Sequence, residues 1–325
     1  MRRKNTTVLG QKVTRAVKGI ALKPVIRGRF DESQAYLLTS SPRSGSTWVA
    51  NLLNCMPASC LLFEPFQLNN VPQALEAGFD WRTYRNPRDE WVVGKKYITR
   101  VLEGRIINRW TAREMSFRSA LKARRLVIKS VRLNRLLPWF CNNFQTPPPI
   151  LLLRHPCAVV CSQLRAPSWN DVKAPATPPF IEGYPSFVAA LQNADSAEKR
   201  LAAIWALDQL PALISSKSEQ LMMVTYEEFA QAPNVVMSSI SRRWNVGFDE
   251  AKVKSILSVP SAVVSKSGMC GIDGWKKHLS NEQISEILST VRAFGLDFYN
   301  ETPVPDYDML YSDQLGAKIR SCGKA

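Results

Sequence analysis

Ser40-Ser41-Pro42-Arg43-Ser44-Gly45-Ser46-Thr47-Trp48 stands between a short apolar run, Tyr36–Thr39, and a segment whose Trp48, Val49, Leu52, Leu53 and Met56 share one face at the helical period. The stretch therefore reads as strand, tight turn and helix. A turn at that junction points successive backbone N–H groups outward at the positive end of the helix dipole, which makes an anion site. Gly45 permits close approach or unusual dihedrals. Ser44, Ser46 and Thr47 add hydroxyl donors, and Arg43 supplies a permanent charge whose planar fork suits oxyanions. The plainer alternative is a serine-rich helix cap with no ligand.

Outward from this turn the pattern repeats. Leu126–Ile128, Ile150–Leu153 and Leu221–Val224 are continuous apolar runs of strand length, as expected when helices cover both faces of a sheet. Between them lie helical patterns. Ala197–Leu210 carries Leu201, Ile204, Trp205 and Leu207 or Asp208 as a core stripe. Ser280–Arg292 opens on a capping box, Ser280 with Gln283, and turns Ile284, Ile287, Leu288 and Val291 inward. Strand–helix alternation over most of the chain predicts one α/β domain with a mostly parallel sheet. Two stretches break the alternation: 78–111, rich in Trp, Tyr and Arg, and 166–187, with five prolines among Trp169, Phe180, Tyr184 and Phe187. Long irregular segments of this kind serve as lids or binding loops, or are simply disordered.

The composition bounds the answer. With 325 residues and 45% hydrophobic content the chain has ample material for a large core, which excludes a disordered or fibrous protein. No apolar run approaches the ~18 residues that a membrane span needs. The net charge is +16, but nine basic residues and no acid lie in residues 1–30, so the remainder carries +7. That body charge suits an anionic small ligand as well as nucleic acid. Residues 1–30 read as a basic tail, or as an amphipathic helix with Val13, Val17 and Ile20 on one face against an anionic membrane surface. The seven cysteines are odd in number and contain no C-x-x-C pair, so neither a metal site nor a disulfide framework is indicated. With no secretory leader, the expected location is the cytoplasm, with peripheral contact to the inner membrane face through residues 1–30 as an option.

The anion turn is not a Walker A loop, because no lysine follows Gly45 and the first glycine is missing. The departure points to a terminal group of lower charge that needs no magnesium, and a phosphosulfate answers that description. Pro42-Arg43-Ser44-Gly45-Ser46-Thr47-Trp48 resembles the 5′-phosphosulfate loop of sulfotransferases that use 3′-phosphoadenylyl sulfate (PAPS). Leu151-Leu152-Leu153-Arg154-His155-Pro156, followed by Ser162, resembles the family's second signature, whose Arg and Ser bind the 3′-phosphate. Val224-Thr225-Tyr226-Glu227-Glu228 is similar to a strand end whose Tyr lies near adenine. Lys266-Ser267-Gly268, with Gly271, Gly274, Trp275 and Lys276 beyond it, resembles a late glycine-rich loop on the 3′-phosphate, although relatives often have Arg-Lys-Gly there. The resemblance implies a P-loop-like three-layer domain over 31–300, with 301–325 as a C-terminal extension. It implies donor contacts from Arg43, Ser44, Gly45, Ser46, Thr47, Trp48, Arg154, Ser162, Tyr226, Lys266, Ser267 and Gly268, PAPS as sulfuryl donor, and no metal. Trp48 has two readings, a platform for adenine or a core residue.

Sulfuryl transfer needs a base for the acceptor hydroxyl and cations around the transferring group. Of the two histidines, His155 falls inside the 3′-phosphate signature and His278 opens the last helix. In small-aryl sulfotransferases a histidine follows a strand in Lys-x-His, and here Lys129-Ser130-Val131 has valine in that place. Glu64, in Leu62-Phe63-Glu64-Pro65-Phe66, is the candidate base. Pro65 predicts an extended backbone at Glu64, and the flanking aromatics predict apolar walls that raise its proton affinity. Glu-Pro here resembles the carbohydrate-sulfating branch of the family. Lys129, at a strand end, is the second catalytic candidate, and Arg132 beyond it suits an anionic acceptor. The implied activity is O-sulfation of a carbohydrate or glycoconjugate, with a lipid or small alcohol as alternative acceptors and no nucleic-acid partner. A basic nucleic-acid or membrane-binding adaptor on a degenerate nucleotide fold is the reading from another class.

Overall fold

Five strands, β1 (Ala35–Ser40), β2 (Ser59–Phe63), β3 (Arg125–Ser130), β4 (Ile150–Leu153) and β5 (Met222–Thr225), form one sheet in the order β2-β3-β1-β4-β5. Every pairing is parallel. The computed structural model describes residues 21–169, 172–215, 220–258 and 271–325. Successive strand residues point to opposite faces, and both faces are dry. Leu37, Leu62, Ile128 and Leu151 join one apolar cluster, while Leu38, Leu61, Val127 and Leu152 join the other. This double burial is why the strands read as unbroken apolar runs instead of alternating ones.

Helices complete three layers. Pro156–Leu164, Ala197–Ser215 and Asn281–Ala293 cover the first face. Ser46–Leu53 and Pro233–Trp244 cover the second. The expected capping box is present, with Ser280 and Gln283 satisfying each other's backbone N–H groups. The helix Ala197–Ser215 exceeds its predicted end and runs through Pro211. Its residues from Leu201 to Leu213 are all buried, so packing on every side offsets the bond an interior proline removes, a loss of about 3 kcal/mol.

Three expectations about organisation need correcting. Residue 30 is not the edge of the fold: residues 21–26 are helical, and Leu22, Ile26 and Phe30 are buried in the first core cluster. Their apolar spacing was masked by the surrounding Lys and Arg. Residues 1–20, and with them the proposed membrane face, lie outside the described residues. Segment 301–325 is not an appendage either, since Leu310, Leu315 and Ile319 belong to the same core cluster. Much of 78–111 is core as well. Phe79 stacks against Phe66, Trp91 and Tyr97, with ring centroids 4.7–5.3 Å apart, and the helix Val92–Leu102 buries Tyr97, Ile98 and Val101.

A parallel sheet places all strand C-terminal ends on one edge. The chain leaves β3 on one side of β1 and returns as β4 on the other, so the connections diverge above β1. Open α/β sheets form their ligand crevice at such a point.

Candidate active site

The loop after β1 is held in an unusual backbone shape. Arg43 has φ 76° and Gly45 has φ 80°, both left-handed. Gln209 Nε2 donates to Ser41 Oγ at 2.6 Å and Gln163 Nε2 donates to the Pro42 carbonyl at 3.1 Å, which pins the loop from two helices. Gly45 then precedes the helix Ser46–Leu53, whose first N–H groups have no partner inside the helix. A Cβ at Gly45 would fall 2.5 Å from Cε2 of Tyr226, so glycine is required by contact as well as by dihedral.

The second signature meets the first. Arg43 Nε donates to Ser162 Oγ at 3.0 Å, and Arg154 Nη1 donates to the Arg43 carbonyl at 3.3 Å. The Arg154 guanidinium lies 4.2 Å over the ring of Tyr226. Thus the residues expected from three separated motifs, Arg43, Gly45, Arg154, Ser162 and Tyr226, surround one crevice. Burial and the neighbouring Arg154 both push the Arg43 pKa down. Neither arginine forms an ion pair with a carboxylate among the described residues. Ser44 Oγ and Arg154 Nε are buried without a hydrogen-bond partner. Two adjacent cations, with idle donors on Arg154 and Ser44, call for an anion.

Other loop residues divide between crevice and core. Ser46 is buried and Thr47 half-buried. Trp48 is half-buried: it packs edge-on against Tyr226 at 5.6 Å and Phe229 at 6.3 Å and lies against the second core cluster, between crevice and core. Lys266, Ser267 and Gly268 lie outside the described residues. The segment that follows them does reach the site: Trp275 stacks on His155 at 4.6 Å, next to Arg154. His155 itself is structural. Its Nδ1 accepts from the Cys157 N–H at 3.2 Å, capping Pro156–Leu164, and its Nε2 meets the Asn300 carbonyl at 2.8 Å. Burial lowers its pKa to about 4.

Glu64 and Lys129, the two catalytic candidates, are bonded to each other. Both are buried, and Lys129 Nζ donates to Glu64 Oε1 while the Val131 N–H donates to Oε2 at 3.1 Å. The extended backbone expected at Glu64 is not found, because its φ is 46°. The Glu64 N–H still donates to the Lys129 carbonyl at 2.8 Å, prolonging the β2–β3 ladder, and the left-handed turn then folds the side chain back across the end of β3. The expected apolar walls are also incomplete, since an ammonium and a backbone N–H face the carboxylate. The centre of the Phe63 ring lies 4.9 Å from Lys129 Nζ, the cation of this pair.

Sequence reading missed Gln163, Gln209, Arg82, Arg135 and Asp208. Gln163 adjoins Ser162, and Arg135 lies three residues beyond Arg132, so proximity to a recognised motif was a usable signal for both. Gln209 and Asp208 come from a helix that reads as pure core.

The sulfotransferase family model matches residues 37–250, and the chain belongs to that family. Among solved structures, the sulfotransferase domain of the olefin synthase of Synechococcus PCC 7002 is similar over 83% of this chain and 96% of its own, at 19% identity and TM-score 0.44. Mouse sulfotransferase SULT7A1 complexed with PAP is similar over 94% of this chain and 93% of its own, at 12% identity and TM-score 0.45. The sulfotransferase domain of the curacin biosynthetic pathway covers 90% and 97%, at 16% identity and TM-score 0.40. No curated protein matches the chain.

Among the described residues, no helix is long and apolar enough to cross a membrane.

Proposed function

We propose that this sulfotransferase moves the sulfuryl group of PAPS to a hydroxyl of a carbohydrate or glycoconjugate, releasing adenosine 3′,5′-diphosphate. The observation that carries the reading is the contact between the two signatures, Arg43 Nε on Ser162 Oγ with Arg154 on the Arg43 carbonyl. The residues fit a nucleotide with phosphates at both ends. The left-handed loop and the unpartnered Ser44 Oγ suit the 5′ end, and Arg154 and Ser162 suit the 3′-phosphate. When bound, PAPS supplies an activated sulfuryl group. Everything else is positioning and electrostatics.

Glu64 takes the hydroxyl proton as the acceptor oxygen bonds to sulfur and the bond from sulfur to the 5′-phosphate oxygen breaks. The electron pair stays on that phosphate. Its new charge requires a cation, and the ion pair provides one in step: a proton on Glu64 weakens its hold on Lys129, freeing the ammonium for the leaving phosphate. Arg43 and the loop N–H groups complete the cage. Phe187 is buried in the core, but the half-buried Trp169, Phe180 and Tyr184 of segment 166–187 supply stacking surfaces for sugar rings.

Thermal unfolding with adenosine 3′,5′-diphosphate against ATP with magnesium tests the donor assignment. A ligand at ~100 times its Kd adds about 2.7 kcal/mol to native stability. Selective stabilisation by the 3′,5′-diphosphate supports the reading, and preferential stabilisation by ATP overturns it. An acceptor screen with PAPS, read as a sulfuryl mass gain, then identifies the hydroxyl class.

A further inference from the structure

Arg82, Arg132 and Arg135 line one narrow cleft, together with Pro42 of the anion loop and Val131, the residue whose N–H holds Glu64. The cleft holds about 10 Å³, so an oxyanion would sit at its mouth. One carboxylate stands among them. Asp208 Oδ1 accepts from Arg135 Nε at 2.8 Å and lies 3.5 Å from Arg82 Nε. Arg132 makes no ion pair among the described residues and instead rests its guanidinium 4.4 Å from the centre of the Trp81 ring. Glu64 and Asp80 attract Arg132 and Arg135, respectively, from farther off. Glu64 is already bound by Lys129, so the three guanidiniums and that ammonium still outnumber the carboxylates around them.

The hydrogen bonding is equally incomplete. Arg82 Nε, Arg132 Nε and Arg135 Nη2 are buried without a hydrogen-bond partner, Arg82 Nε having only its longer ion pair with Asp208. Arg135 is only 6% exposed, so water reaches it poorly. A buried guanidinium with idle N–H groups loses free energy until an acceptor arrives. Arg154, whose Nε shows the same deficit, serves the donor crevice with Arg43. The second cluster shares Pro42 with the anion loop and Val131 with the Glu64 carboxylate, which puts it beside the candidate base.

We propose that Arg82, Arg132 and Arg135 form an anion subsite for the acceptor, so that the sugar presented to Glu64 carries an oxyanion: a carboxylate, a sulfate or a phosphate. The proposal rests on the sulfotransferase reading and narrows its acceptor class. The surroundings extend the subsite outward. Arg135 lies 5.7 Å from the ring centre of Phe180, which meets Tyr84 at 4.8 Å on the wall of a cavity of about 570 Å³. An acidic residue held by the arginines would leave neighbouring sugar rings against those aromatic faces.

The test compares glucuronate, glucose 6-phosphate and glucose 6-sulfate with glucose, which differ only at C6. With PAPS as donor, at least one anionic sugar is expected to exceed glucose by ~10-fold or more in kcat/KM, the usual scale of a lost charge-assisted bond. Arg132→Gln should bring that ratio near unity while adenosine 3′,5′-diphosphate binds as in wild type. A second readout needs no turnover: with adenosine 3′,5′-diphosphate bound, the anionic sugar should raise the melting temperature more than glucose does, and Arg132→Gln should abolish the difference. Equal responses to all four sugars in both readouts, or an anion preference that survives Arg132→Gln, would overturn the subsite. Failure of adenosine 3′,5′-diphosphate to bind is read separately, without any sugar, and counts against the sulfotransferase reading instead.

Discussion

Arg43 donates its Nε–H to Ser162 Oγ across 3.0 Å, although the two residues are 119 positions apart. One belongs to the loop after β1 and the other to the helix after β4. They meet because β1 and β4 are parallel neighbours in register, Thr39 opposite Leu151 and Ser40 opposite Leu152. The contact fixes a guanidinium between the two ends of a crevice that holds a second guanidinium, Arg154.

Ser162→Ala should therefore weaken adenosine 3′,5′-diphosphate binding, by loss of a direct contact and of the restraint on Arg43. The expected loss is about 10-fold, corresponding to ~1.4 kcal/mol. Titration calorimetry measures it. Unchanged affinity would detach Ser162 from the donor site.

Gly45→Ala places a methyl 2.5 Å from the Tyr226 ring on a backbone at φ 80°. The dihedral alone costs roughly 1–2 kcal/mol, and the clash adds to it. A lower melting temperature and a loss of donor affinity of at least ~10-fold are expected. Gly45→Ala with Tyr226→Ala should recover part of the stability, because the second change removes the clash and leaves the dihedral.

Glu64→Gln keeps the size of the side chain and removes the base. Turnover should fall by about 10²–10⁴-fold while donor binding persists. Near-normal turnover would reject Glu64 as the base. Lys129→Met leaves Glu64 buried without its cation and should destabilise the fold by roughly 3–5 kcal/mol, measurable by urea unfolding.

His155 links the fold to pH. Burial holds its pKa at about 4 in the native state, against an ordinary value of 6.5. The unfolded chain therefore binds this proton first as pH falls. The stability contributed by neutral His155 is present in full above pH ~6.5 and is lost as pH falls through ~4, by roughly 3 kcal/mol in total. His155→Asn retains a capping acceptor and should flatten this part of the stability curve between pH 7 and pH 4.5.

The strands and the anion loop were legible because their signals are local. A continuous apolar run reports burial on both sheet faces, and Pro-Arg-Ser-Gly-Ser-Thr reports a turn at a helix start. The partnership of Glu64 with Lys129 was not legible, since it depends on the parallel register of β2 with β3, which sets Phe63 opposite Lys129. The left-handed backbone of Glu64 was hidden for the same reason: the preference before proline is local, whereas a ladder bond and an ion pair overrule it together. Residues 21–30 were misread because a basic surface and a buried apolar stripe share one short helix. Asp208 and Gln209 looked like core because they occupy a helix that is buried all round, and only the position of the helix beneath the crevice gives them polar work.

The central claim is that Arg154 and the Arg43 loop hold opposite ends of one nucleotide. Calorimetric titration of wild type and Arg154→Gln with adenosine 3′,5′-diphosphate and with adenosine 5′-phosphate tests it most directly. Wild type should prefer the 3′,5′-diphosphate, and Arg154→Gln should lose ~10–100-fold of affinity for it while its affinity for the 5′-phosphate hardly changes. Equal weakening toward both nucleotides, or no weakening toward either, would contradict the claim.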